Sequence, residues 1–210
     1  MTSQGCPFKC GFCCKNYKTV RFRSIEKVKE EIDYLHYELG YDALVFPEDL
    51  FIIKRERTEA IAEYLSELGI IWRCLVRADL VVKYGKSFSD MLYQSGCIEV
   101  GMGVESGSNK VLKIINKGES SWTMMDAVKI LKSSGIRAKG FFILGLPGES
   151  KDTLCETWSF LENAELDDVD IKIYQPYPGT PIWDKKELYD ISWDDNIDYS
   201  RKFYKGRPKE

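Results

Sequence analysis

The chain has 210 residues, of which 44% are hydrophobic and 30% charged, so it is long enough to bury a sizeable core in one globular domain. Its net charge of -3 excludes the strongly basic class of nucleic-acid-binding proteins. A nucleic-acid partner is therefore not expected, although a specific RNA substrate stays open. The sequence contains neither a run of about 18 apolar residues nor a secretory leader, so we expect a cytoplasmic protein without a membrane span.

Helical and strand patterns alternate along the chain. A first helix is expected between Ser24, a favourable N-cap, and Gly40, because the apolar residues between them share one face. Glycines end several of the later helices in the same way. The expected helices span 25–39, 55–68, 88–95, 110–115, 122–134 behind a Ser121 cap, and 154–164, and the expected strands span 43–46, 70–76, 98–104, 140–144 and 169–174.

Strands that alternate with helices at this spacing favour right-handed parallel units. An eight-unit barrel takes about 250 residues, so this chain has room for about six units. We therefore expect an α/β fold, a partial parallel (β/α)6 barrel whose first strand lies within residues 1–5. A doubly wound sheet is the alternative, but no G-x-G-x-x-G motif follows a predicted strand.

The expected core domain spans residues 1–183, and the tail 184–210 is rich in tryptophan, tyrosine and charge. We expect the tail to cover the edge of the barrel, with a substrate lid as the alternative. Residues 1–5 barely supply a strand, and prolines end the last strand, so both edges of the barrel would be bare. A flanking segment or a partner subunit is expected to cover them.

Three cysteines near the start of the chain, Cys6, Cys10 and Cys13, are spaced C-x3-C-x2-C. Thiolates this close in sequence converge on one metal centre if the loop wraps around it, and Pro7 and Gly11 suit such a path. Three protein ligands leave one coordination position open, which is typical of a site that does chemistry.

The seven cysteines fit uses other than metal ligation less well. A zinc knuckle would need a fourth ligand, but Cys14 is adjacent to Cys13, and the only histidine, His36, lies within a predicted helix. An odd number with three clustered does not suggest a disulfide framework, so no disulfides are expected. The remaining cysteines read as core thiols, namely Cys74, Cys97 and Cys155.

The cysteine spacing, with Phe12 directly before Cys13, resembles the radical S-adenosylmethionine (SAM) superfamily. Four further stretches repeat features of the branch that contains cobalamin-dependent radical SAM enzymes and methylthiotransferases. They are Phe46-Pro47-Glu48-Asp49-Leu50-Phe51, Arg77-Ala78-Asp79, Gly103-Val104-Glu105-Ser106-Gly107-Ser108 and Gly145-Leu146-Pro147-Gly148-Glu149. The resemblance runs from Thr2 to about Pro181, and the combination in this order is specific.

The resemblance implies a 4Fe-4S cluster held by Cys6, Cys10 and Cys13, with the fourth iron chelated by SAM. It also implies SAM contacts from residues at the ends of the strands. These are Phe12 beside the adenine, Glu48 and Asp49 near the methionine amino group, Arg77 at the SAM carboxylate, Glu105 and Ser106 near the ribose or methionine portion, Ile143, Gly145 and Leu146 along the adenine, and Tyr174 at the adenine or substrate. The simpler alternatives are solvated turn charges for Glu48 and Asp49, a helix-start acid for Glu105, and an ion pair with Asp79 for Arg77.

The implied activity is reductive cleavage of SAM to a 5'-deoxyadenosyl radical that abstracts hydrogen from a substrate. Methylation, epimerisation, dehydration and sulfur insertion all stay open as outcomes. The implied partners are an electron donor such as flavodoxin or ferredoxin and a small-molecule substrate. No cobalamin-binding domain is expected, because the D-x-H-x-x-G loop of the cobalamin-dependent relatives has no match here. A non-enzymatic iron-sulfur carrier or a zinc-binding interaction module is the alternative, although a carrier would normally supply four cysteines per cluster.

Overall fold

The computed structural model describes residues 1–14, 19–185 and 187. Five parallel strands form one curled sheet in the order β3-β4-β5-β6-β7, and two short strands, β1 and β2, form a separate antiparallel pair. The strands are β1 (Ser3–Gln4), β2 (Arg21–Phe22), β3 (Ala43–Phe46), β4 (Ile71–Val76), β5 (Cys97–Glu105), β6 (Arg137–Leu144) and β7 (Asp168–Ile173). The expected partial parallel barrel is confirmed.

Helices precede, connect and follow the parallel strands. They are α1 (Ile25–Asp33), continued by a π-helical segment (Tyr34–Glu38), then α2 (Arg55–Glu67), α3 (Ala78–Gln94), α4 (Asn109–Ile114), α5 (Ser121–Ser133), α6 (Lys151–Asn163) and α7 (Pro181–Asp184). Serine side chains cap the N-termini of three of these helices. In each case the serine hydroxyl oxygen accepts a hydrogen bond from the backbone N–H of the third helical residue. Ser24 caps α1 and Ser150 caps α6, whereas α5 is capped by Ser120 and not by the predicted Ser121, which is the first helical residue.

The first predicted strand does not join the parallel sheet, and this corrects the expected count of six strands to five among the described residues. Ser3 and Gln4 pair antiparallel with Phe22 and Arg21. Gly5 has a φ of 93°, which directs the chain into the cysteine loop immediately after two paired residues.

Helix α3 is longer than the pattern predicted, because it begins at Ala78 and not at Phe88. Gly85 interrupts it with a φ of 75° and a ψ of -173°. A glycine in such a conformation breaks the apolar period, so the two halves do not read as one helix in the sequence.

The core lies between the sheet and its helices, and its largest fully buried side chains are Trp72, Phe88 and Phe142. The seven cysteines, all within the described residues, are not joined in disulfides. Cys74 and Cys97 are buried as predicted, but Cys155 is exposed on α6, so its assignment to the core was wrong. Within the described ranges, no helix is both long and apolar enough to cross a membrane.

Candidate active site

The carboxyl ends of the five parallel strands form one mouth, and the cysteine loop lies there. The Gly11 N–H donates to Ile115 O at the end of α4 over 2.6 Å, and the Ile182 N–H of α7 donates to Gly11 O over 3.0 Å. A Cβ at Gly11 would lie 3.1 Å from Ile115 O, so the small residue permits this close approach. The Asn116 amide also donates to Lys9 O over 2.6 Å. Hydrogen bonds therefore hold the loop in place, from the end of α4 on one side and from α7 on the other.

The three predicted ligands differ in burial. Cys10 is buried, Cys6 and Cys13 are half-buried, and the neighbouring Cys14 is exposed. Burial raises the pKa of the Cys10 thiol, while the nearby cations of Lys117 and Arg77 oppose this shift. Cations beside a thiol favour its thiolate form, which is the form that binds metal.

Within residues 1–14, 19–185 and 187, no three His, Cys, Asp or Glu side chains are close enough to hold a single metal ion. An iron-sulfur cluster has a different requirement, because each thiolate binds a separate iron. Three thiols outside any disulfide, on one loop that hydrogen bonds hold in place, with two cations near Cys10, fit such a ligand set.

A buried ion network lies directly behind Cys10. The Lys117 ammonium is 2.9 Å from Glu105 Oε1 and 3.7 Å from Glu119 Oε2, and its side chain is only 6% exposed. The Arg77 guanidinium donates to both carboxylate oxygens of Asp79, over 3.2 and 3.1 Å, and to Lys117 O over 3.0 Å. Lys117 and Glu119 were not predicted as site residues, because charged residues in a short loop are usually solvated and carry no sequence signal of burial.

A bidentate contact with the SAM carboxylate requires two parallel N–H donors of the guanidinium, and those of Arg77 already have partners. Its donors are directed at Asp79, Glu119 and Lys117 O. The ion pair with Asp79, which was the alternative, is present. Arg77 thus supports the cysteine loop, and its contact with the SAM carboxylate stays a prediction.

Glu105 ends β5 in a left-handed conformation with a φ of 64°, next to an irregularity in the β5–β6 register. Such conformations are costly for residues other than glycine and concentrate at functional sites. Gly103 leaves the space that the ion pair fills, because a Cβ there would lie 2.9 Å from Lys117 Nζ.

Glu48 and Asp49 lie in different environments. Glu48 is buried, and its Oε1 accepts hydrogen bonds from Thr2 N over 2.9 Å and from Thr2 Oγ1 over 2.6 Å. Its Oε2 is buried without a hydrogen-bond partner among the described residues, which suits it to accept one from a ligand. Asp49 is exposed, in line with the alternative of a solvated turn charge.

Three other residues predicted to contact SAM lie where the strands end. Ser106 is buried, and its hydroxyl lies 3.1 Å from Thr157 Oγ1 of α6 and accepts from Ser108 N. The Gly145 N–H donates to Glu149 Oε2 over 2.6 Å, and Leu146 is fully buried in the core. These three residues shape the ends of the strands, and their contact with SAM stays a prediction.

One pocket of about 500 Å³ brings together four of the predicted residues. They are Phe12, Glu105, Ile143 and Tyr174, and Gln175, the residue after Tyr174, lines the same pocket. The remaining lining residues were missed, and they are Phe141, Phe142, Lys172, Ile173 and Tyr177. Strand alternation could have found Phe141, because it lies two residues from Ile143 on the same face of β6.

Comparison with known proteins agrees with this geometry. A family model described as the radical SAM superfamily matches residues 1–161. PH0819, an uncharacterized methyltransferase of Pyrococcus horikoshii, is 34% identical over 189 residues, which are 88% of this chain and 40% of that protein. The anaerobic magnesium-protoporphyrin IX monomethyl ester cyclase of Rubrivivax gelatinosus is 28% identical over 198 residues, which are 90% of this chain and 35% of that protein. The chain thus spans about two fifths or less of the length of these relatives.

Two solved structures share the fold. The radical SAM methyltransferase TsrM of Kitasatospora setae, with cobalamin and a 4Fe-4S cluster bound, gives a TM-score of 0.75 at 16% identity over 86% of this chain and 37% of its own. The cobalamin-dependent SAM radical enzyme OxsB, with aqua-cobalamin and SAM bound, gives 0.70 at 26% identity over 90% of this chain and 28% of its own. Because the family model covers well over half of its residues, this chain belongs to the radical SAM superfamily.

Proposed function

We propose that this chain is the core of a radical SAM enzyme, with Cys6, Cys10 and Cys13 holding a 4Fe-4S cluster whose fourth iron stays open for SAM. The observation that carries the proposal is the position of the cysteine loop. It is pinned to α4 and α7 at the mouth of the barrel, and its Phe12 lines the same pocket as Glu105. A ligand in this pocket would lie between the loop and the ends of the strands.

When bound, the cluster and SAM would supply a 5'-deoxyadenosyl radical, and the residues of this chain bind, orient and shield that chemistry. Phe12, Phe141 and Ile143 offer apolar walls that suit an adenine ring and exclude water. The Glu105 carboxylate can accept hydrogen bonds from ribose hydroxyls, since Lys117 occupies only its Oε1. The unpartnered Oε2 of Glu48 can accept one from an amine.

The reaction that follows is proposed only as a class. The relatives include a methyltransferase and a cyclase by name, which supports modification of a small-molecule substrate, with methyl transfer as the leading candidate. Membership of the superfamily favours an enzyme over a non-enzymatic carrier. The proposed electron donor is a flavodoxin or ferredoxin, and the proposed location is the cytoplasm.

Anaerobic reconstitution of the chain with iron and sulfide, followed by dithionite and SAM, tests the proposal. We expect 5'-deoxyadenosine to be released, as quantified by chromatography, and Cys10→Ala to release none. A reconstituted cluster that is reduced by dithionite but leaves SAM intact would instead support an electron carrier.

A further inference from the structure

Arg77 is a buried cation that contacts the cysteine loop from behind. Its Nη1 lies 4.0 Å from Cys10 Sγ and donates to Lys117 O over 3.0 Å. Lys117 O itself lies 3.9 Å from the same sulfur. The guanidinium carbon lies 3.7 Å from the centre of the Phe8 ring, so the cation also stacks on a side chain of the loop.

The two edges of the guanidinium face groups of opposite character. Nε and Nη2 bind Asp79, and Nη2 also pairs with Glu119 Oε2 over 3.3 Å, whereas Nη1 is directed at the Cys10 sulfur. The carboxylates thus lie on the far edge, and the edge nearest to the thiol is positive. The Arg77 side chain is only 6% exposed, so water screens this charge weakly.

Reduction of a cluster held by three thiolates takes one electron from the reductant and adds one negative charge, without forming or breaking a bond. A fixed cation beside a ligand sulfur stabilises the more negative state. Net charge and hydrogen bonds to the sulfurs are among the factors that set the potential of such clusters.

We propose that Arg77 is a positioning residue that fixes the Phe8–Cys10 part of the loop and raises the reduction potential of the cluster through the Cys10 thiolate. This inference rests on the proposed function, because it requires that Cys10 be a cluster ligand. It gives the buried ion network a role beyond packing. Asp79 and Glu119 hold the guanidinium in its orientation and moderate its charge.

The test measures the midpoint potential of the reconstituted cluster by dithionite titration, monitored by electron paramagnetic resonance, together with bound iron. Arg77→Gln removes the charge and should shift the midpoint to a more negative value. Arg77→Lys keeps the charge and should stay closer to wild type. Arg73→Gln is the matched control, because Arg73 lies on β4, just before Arg77 in the chain, but is half exposed and pairs with Glu99. Its midpoint should equal that of wild type.

A second variant makes the sign of the effect testable. Glu119→Gln removes a negative charge next to Arg77 and keeps an acceptor for the Asp79 N–H, which Glu119 Oε1 binds over 2.9 Å. Its midpoint should shift to a more positive value, opposite to Arg77→Gln. Loss of packing alone does not predict shifts of opposite sign.

The outcomes separate the two proposals. A wild-type chain that holds no cluster would contradict the proposed function and this inference with it. A wild-type chain with a cluster, and an Arg77→Gln variant with an unchanged midpoint, would overturn this inference alone. If Arg77→Gln binds no iron, Glu119→Gln decides, and an unchanged or more negative midpoint there rejects the role of Arg77.

Discussion

Glu149 is a half-buried carboxylate in the turn that follows β6, and its Oε2 accepts the Gly145 N–H over 2.6 Å. Burial raises the pKa of Glu149 above its ordinary value, although the hydrogen bond from Gly145 opposes the shift. At a pH between the unfolded and the folded pKa, Glu149 is therefore protonated in the folded state and ionised in the unfolded state. By linkage, the free energy of unfolding falls as the pH rises above about 4.5 and through the raised pKa.

Glu149→Gln keeps an acceptor for Gly145 but cannot ionise. We expect its stability relative to wild type to increase with pH, because only the wild type loses stability as Glu149 ionises. Urea unfolding between about pH 4 and about pH 8 measures this difference. Glu63→Gln, on the exposed side of α2, is the matched control and should show no such trend. A difference between Glu149→Gln and wild type that does not depend on pH would refute the assignment.

The cysteine loop allows a prediction that separates ligands from a neighbouring thiol. Cys6→Ala, Cys10→Ala and Cys13→Ala should each abolish binding of a complete cluster, because three protein ligands cannot lose one and still leave a single open iron. Cys14→Ala is the control, since Cys14 is exposed and its sulfur lies 3.8 Å from Pro178 O. Bound iron and the visible absorbance of reconstituted protein report the result. Full iron content in Cys10→Ala would contradict the ligand set.

The loop that contains the cysteines could be predicted because its ligands are close in sequence, whereas the groups that surround it could not. Lys117 and Arg77 meet across 40 residues of sequence, and Thr2 meets Glu48 across 46. Such contacts are fixed by the way the strands are ordered in the sheet. The sequence shows only isolated charges in loops, so the pairing of Arg77 with Asp79 could be named as an alternative, but its contacts with Lys117 O and Glu119 could not.

At the scale of elements, the turn after β6 packs on α4, the helix that ends at the cysteine loop. Gly148 has a φ of 81°, and a Cβ there would overlap Ile114 Cδ1 of α4. Gly148→Ala should therefore lower the free energy of unfolding by about 1–2 kcal/mol for the left-handed backbone and by about 1–3 kcal/mol more for overpacking. Urea denaturation measures the sum.

Gly40 provides the matched control for this substitution. It has a similar φ of 72°, but no heavy atom lies within 4 Å of the position that a Cβ would take. Gly40→Ala should therefore show the backbone cost alone. Equal losses in the two variants would mean that Ile114 moves aside without cost, and that the turn does not constrain α4.

Elements with a strong apolar period were predicted to within a few residues, and α2, β4 and β6 are examples. Errors arose where a glycine changes the path of the chain. Gly85 interrupts the apolar pattern, so the first half of α3 was not predicted. Gly5 ends β1 after two residues. The apolar pattern reports burial, but it does not report which strand a short segment will pair with.

At the scale of the whole molecule, the sheet has two outer strands, β3 and β7, with no further strand paired beside them among the described residues. Alternate residues of β7 are apolar and exposed, with 42%, 48% and 52% of the surface of Val169, Ile171 and Ile173 accessible. An outer strand with free backbone groups and apolar side chains is a template for pairing with another chain. This makes the β7 edge the part of the sheet most exposed to association.

We expect the isolated chain to self-associate through β7 as its concentration rises. Ile171→Lys should weaken this association roughly tenfold or more, because burying an unpaired ammonium in the contact costs at least about 1.4 kcal/mol. Trp122→Lys is the control, since Trp122 is 69% exposed but lies on α5, which offers no strand edge for pairing. Light scattering across a concentration series measures both variants beside the wild type. A wild-type chain that stays monomeric throughout, or a Trp122→Lys variant that loses association equally, would show that the free edge of β7 does not drive it.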